Sequence, residues 1–345
     1  MKKLLFIILI ICGGQSSKAG HISGGELYYR YLGPGSSNGS SLFEVTLRLF
    51  RDCNPLPNPG GGLPPPLPAD VILGVFNNVS NTTYIDSIFA PRTSFSSITL
   101  QSPYVCIVNA PTVCYEVALY TTTIELGSSA NGYTVAFQTC CRINGLSNIN
   151  SGGTGATYVA NIPGTNTLGL NNKNSSPVFD LKDTVLVCRN KRFTLPFSAR
   201  DPDSIDSLSY SFCDAFSSPG VNNANNRKPL SPPYTALNYT NGFSGTDPLG
   251  IDVSINPVTG VISGIAPTGT VNPSGASFFV VNVCISEWRQ GVRISEHRKD
   301  FVVRISDCDF ADAELPVDNR TCDGFSQTFQ NLTPSIEIRS GCLSA

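Results

Sequence analysis

Charge is scarce in this chain. Of its 345 residues 14% are Asp, Glu, Lys or Arg, and they sum to a formal net charge of −2. No basic stripe is present to neutralise phosphates, which argues against nucleic acid as a partner. Histidine is scarcer still: only His21 and His297 occur, and there is no Cys-x-x-Cys pair, so the ligand set of a zinc cage is missing. There is no Gly-x-Ser-x-Gly elbow, no His-Glu-x-x-His and no phosphate loop. These absences point to a protein without catalytic activity. Beyond the N-terminus no run approaches the roughly 20 apolar residues of a membrane helix. No later segment repeats with a helical period.

What is present fits an exported all-β protein. Lys2 and Lys3 precede the apolar run at residues 4–11, and Ser17 and Ala19 supply small residues before a cleavage point, so residues 1–19 are expected to be a signal peptide. Beyond it lie 11 cysteines: Cys53, Cys106, Cys114, Cys140, Cys141, Cys188, Cys213, Cys284, Cys308, Cys322 and Cys342. In an oxidising compartment most should form disulfides. The expected location is therefore secreted or at the outer cell surface.

FEVTLRL alternates apolar and polar residues, which places Phe43, Val45, Leu47 and Leu49 on one face of a strand. The same period of two recurs in YEVALYTT, YTVAFQT, RFTLPFSA, SLSYSF, FFVVNVCI and FVVRIS, separated by Gly-, Asn- and Pro-rich turns. That spacing predicts β-sandwiches. The Asn- and Ser-rich stretch LGLNNKNSSPVFDL suggests a boundary, giving one sandwich over 20–172 and a second over 173–308. Residues 309–345 are read as the start of a further module or an extension.

Several strings resemble a known class when taken together. AGHISGGELYYRYLG, VTLRLFRDC, CYEVALY, NGYTVAFQTCCRING, NSSPVF, ARDPDSIDSLSYSF, NPVTGVISG and VCISEWRQGVRISEHRKDFVVRISDC follow one another between residues 19 and 308. The set resembles the N-terminal region of large exported Bacteroidota surface proteins. Those carry further Ig-like or polycystic-kidney-disease-type (PKD) modules and end in a gliding-motility-associated sorting domain read by the type IX secretion system. Within it, DPDSIDSLSYSF and NPVTGVISG resemble cadherin-like and Ig-like repeats of bacterial adhesins. The resemblance implies tandem Ig-like or cadherin-like sandwiches at the N-terminal end of a multidomain adhesin, acting as a structural or adhesive surface module. A secreted carbohydrate-binding protein is the alternative.

Two candidate sites follow. Asp201, Asp203 and Asp206 crowd one turn between strands. Calcium takes six to eight oxygens, often from several carboxylates, so the turn is either a calcium site or a loop whose acids satisfy turn amides. As exposed acids they lack the apolar burial that would raise a catalytic pKa. The second candidate is the hairpin around Gly291. There Trp288 could stack on a sugar ring while Arg289 and Arg293 bond its hydroxyls, with surface glycans or other cell-surface proteins as partners. The competing reading is cross-strand pairing of Glu and Arg over a Trp packed on the sheet. His297, in the charged string SEHRKD, is expected to be solvated, as is His21 near the new N-terminus.

For the disulfides, Cys106 and Cys114 flank a short loop and form the best local pair. Adjacent Cys140 and Cys141 should point to opposite faces of a strand and take different partners, with Cys53 a candidate for one. Cys188, Cys213, Cys284 and Cys308 allow three connectivities.

Overall fold

The computed structural model describes residues 22–53, 66–79, 83–99, 107–108, 113–150, 154–169, 174–179, 186–218 and 228–310 except 274. The expected signal peptide, His21, Cys106, Cys322, Cys342 and nearly all of the expected C-terminal module lie outside these. The strands are Ile22–Pro34 (β1), Ser41–Asp52 (β2), Asp70–Asn77 (β3), Thr83–Thr99 (β4), Ile107–Val108 (β5), Cys114–Leu126 (β6), Tyr133–Thr139 (β7), Ala156–Ile162 (β8) and Val178–Phe179 (β9). They continue with Leu186–Cys188 (β10), Arg192–Pro196 (β11), Ala199–Arg200 (β12), Asp206–Phe212 (β13), Val253–Ile255 (β14), Val261–Ile265 (β15), Ala276–Arg289 (β16), Val292–Ser306 (β17) and Asp309–Phe310 (β18). One helical turn, Thr165–Leu168, interrupts them.

An eleven-stranded sheet runs in the order β13-β16-β17-β1-β2-β6-β4-β3-β7-β8, with β10 added parallel to β17. The sheet does not stop at the boundary expected between residues 172 and 173. β1 pairs with β2 on one side and with β17 on the other, through Gly24↔Phe301, Gly25↔Asp300 and Glu26↔Lys299. The reason is visible in ISGGE: a Cβ at Gly24, whose φ is +147°, would lie 2.4 Å from the Asp300 carbonyl oxygen. Only glycine allows that approach without strain.

Because strand side chains alternate, the sheet buries both faces. On β2, Phe43, Val45, Leu47 and Leu49 enter one core, whereas Phe50 enters another. On β6, Ala118, Tyr120, Ile124 and Leu126 join the first core, and Tyr115 and Val117 the second. β3, β7 and β8 cover the first face with Leu73, Val135 and Tyr158. A three-stranded sheet, β11-β15-β14, covers the second with Leu195, Ile262 and Val253. β4 connects layers: its first half pairs with β3 up to Pro91, and Arg92–Thr99 pair with β6 after an irregularity at Arg92/Ser94.

Disulfides close the ladder ends and correct two expectations. Cys114 pairs with Cys53, not with Cys106. The β2/β6 register ends at Asp52↔Tyr115, and the Cys53 amide bonds the Cys114 carbonyl at 3.1 Å, so the two are direct neighbours across the strands. Cys140 and Cys141 are joined to each other, across a cis peptide bond. The alternation argument fails there because β7 ends at Thr139. In the second half the pairs are Cys188–Cys308 and Cys213–Cys284. Such bonds are compatible with an extracellular setting.

Candidate functional site

The turn entering β13 is held by its own acids. The Asp203 amide donates to Asp201 Oδ1 at 2.8 Å, and Asp206 N to the Asp203 carbonyl at 3.0 Å. Asp203 Oδ2 accepts from Ser175 N at 2.6 Å, which brings in the segment linking the two halves. That segment also clasps β1: the Tyr29 amide donates to Ser176 Oγ, and Ser176 N donates to the Tyr29 carbonyl.

β16 supplies the fourth acid. Glu287 lies in register between Leu208 on β13 and Ser295 on β17, and is completely buried. Its Oε2 accepts from Asn174 Nδ2 at 3.1 Å and from Ser295 Oγ. Sequence reasoning missed this residue, yet a signal existed. Glu287 shares the strand face of Val281, Val283 and Ile285, and an acid on an apolar face is the exception to notice.

Donor atoms of Asp201, Asp203, Asp206 and Glu287 lie within 4.8 Å of one another. Arg289 neutralises one of them: its Nε and Nη2 reach Asp206 Oδ1 and Oδ2 at 2.6 and 2.5 Å. Two oxygens remain buried with no donor, Asp201 Oδ2 and Glu287 Oε1. Burial is the main cause that pushes Glu287 up to about 8 and Asp201 to about 6; repulsion from Asp201 adds to the first, and repulsion from Asp206 and Asp203 to the second. The acids are therefore not simply exposed, as the sequence suggested: the Asp206 side chain is 0% exposed, the Asp203 side chain 28%, and Asp201 is half-buried. Two facing carboxylates without donors call for a shared proton, a bridging water or a cation between them. Asp201, Asp203 and Glu287 have the all-oxygen chemistry that a hard divalent ion takes.

The hairpin residues are engaged internally. Trp288 Nε1 donates to Ser209 Oγ at 2.8 Å, Arg289 is bound to Asp206, and Arg293 pairs with Glu296. Glu296 also accepts from Arg298 at 2.7 Å. The Arg289–Asp206 contact crosses from β16 to β13, whereas both Glu296 pairs lie within β17, so these Glu–Arg pairs are not the expected cross-strand ones; together the contacts occupy groups the glycan reading would require.

His297 corrects a further expectation. It is 1% exposed, and its Nε2 lies 2.9 Å from Glu26 Oε2. Glu26 also accepts from Arg48 at 2.8 Å and lies 3.7 Å from Lys299 Nζ. Burial alone would raise the Glu26 pKa, but Lys299, Arg48 and His297 together hold it at about 2. Phe50 and Phe179 present their rings to the Lys299 ammonium at 4.9 and 5.5 Å.

Among the described residues no helix is long and apolar enough to cross a membrane. Comparisons with protein-family models, curated proteins and solved structures return no match to this chain.

Proposed function

We propose that this chain is an exported cell-surface module with a structural or adhesive role and no catalysis, in which the Asp201, Asp203 and Glu287 carboxylates hold a calcium ion. The observation that carries the reading is the pair of donorless oxygens on Asp201 and the buried Glu287. An ion there would tie together the Asp turn, β16 and the 174–176 segment that clasps β1. Such a tie stiffens a module, a mechanical rather than a chemical task.

The Ig-like or cadherin-like kinship of the two halves belongs to the same proposal. So do the N-terminal position in a larger adhesin and the type IX export route, which rest on the resemblance of the sequence strings, and the signal peptide, which rests on Lys2, Lys3, the apolar run at 4–11 and the small residues Ser17 and Ala19. The internal engagement of Trp288, Arg289 and Arg293 counts against the glycan-binding alternative at this hairpin. An immunoblot of fractionated source cells, with and without protease treatment of intact cells, tests the module reading. Surface-exposed antigen, lost on protease treatment, is expected; antigen confined to the cytoplasm contradicts it.

A further inference from the structure

β8 and the β16–β17 hairpin, distant in the chain, meet at one small, partly enclosed space. Tyr158 on β8, Asn282 on β16 and Arg298 on β17 line it, beside Asp300 and Phe216. The volume open to a water centre is ≈ 10 Å³. That matches the roughly 10 Å³ a single water requires.

The polar atoms around it are left over from other contacts. Both Asp300 oxygens are taken by Arg142 Nη1 and Nη2, at 2.6 and 2.6 Å. Arg298 gives Nη1 to Glu296 and Nη2 to the Asp214 carbonyl, and Asn282 Nδ2 donates to that same carbonyl at 2.9 Å. Tyr158 Oη, Asn282 Oδ1 and Arg298 Nε remain buried without a partner. Each such orphan costs about 1–3 kcal/mol, and all three belong to residues that line this one space, which points to a common partner.

Their chemistry selects it. Arg298 Nε–H only donates, Asn282 Oδ1 only accepts, and the tyrosine hydroxyl does either. A cation would meet the guanidinium, and an anion would meet an amide oxygen and the Asp300 carboxylate. We infer that a single ordered water fills this space, accepting from Arg298, donating to Asn282 and bonding the Tyr158 hydroxyl. It fastens β8, the outer strand of the first half, to β16 and β17 of the second.

Tyr158→Phe in the full chain, with disulfides intact, tests this by sign. If the water is there, the variant loses a real hydrogen bond and its folding constant falls roughly fivefold in urea titration. If the space is dry, the variant removes an orphan hydroxyl, and unchanged or increased stability overturns the inference. A crystal structure resolving waters is the second arm: density bridging the three atoms is expected, and empty density contradicts it.

Discussion

At the scale of residues, two buried acids act in opposite directions. Glu26 is held at about 2 against an ordinary 4.5, so the folded state favours its ionised form. Its contribution is present in full above pH 4.5 and is lost as pH falls toward 2; over such a gap linkage gives on the order of 3 kcal/mol. Glu26→Gln should remove most of that at neutral pH and flatten the acid limb of a stability–pH profile measured by urea unfolding. Glu287 is the reverse case. Its pKa is raised to about 8, so the metal-free folded state binds a proton that the unfolded chain has released, and stability declines as pH rises from 4.5 through 8. In chelator, Glu287→Gln should unfold at a higher temperature than the wild type at pH 9, and at a similar one near pH 5. A variant that destabilises at both would show the carboxylate to be a plain structural acceptor.

At the scale of elements, the pairing of β1 with β17 is the joint of the fold. Gly24→Ala places a methyl 2.4 Å from the Asp300 carbonyl at a φ of +147°, where non-glycine residues are strained. Strain and overpacking together should cost about 3 kcal/mol in chemical denaturation, with strand separation between the halves. Cys188–Cys308 closes a separation of 120 residues. In the chain-entropy model its removal by Cys188→Ala with Cys308→Ala should cost about 5 kcal/mol, more than any other single change considered.

The strands themselves were largely legible. FEVTLRL falls in β2, YEVALYTT in β6, YTVAFQT in β7, SLSYSF in β13 and FVVRIS in β17. What alternation could not convey is that both faces of the sheet are covered. Phe50 beside Leu49 looks like a break in pattern until two cores exist to receive them. His297 and Lys299 were hidden for a related reason. They extend the inward face of Phe301 and Val303 by two steps, but their charge reads as solvent-facing unless the partner Glu26, 271 residues from His297, is known. The calcium candidate was half legible: Asp201, Asp203 and Asp206 sit together in sequence, whereas Glu287 arrives through the β13/β16 register.

At the scale of the whole molecule, the two halves share one central sheet through the β1/β17 pairing, while each disulfide closes within its own half. The linking segment at 174–176 is clasped to β1 on one side and to the acidic cluster on the other. An ion at the cluster would therefore stiffen the region where the halves meet, which is what the proposed structural role asks of it. The direct measurement is isothermal titration of the full chain with calcium, run in parallel on Glu287→Gln. The account predicts stoichiometric binding by the wild type, accompanied by a rise in melting temperature, and loss of both in the variant. A wild type that takes up no calcium, or a variant that binds it equally well, would contradict it.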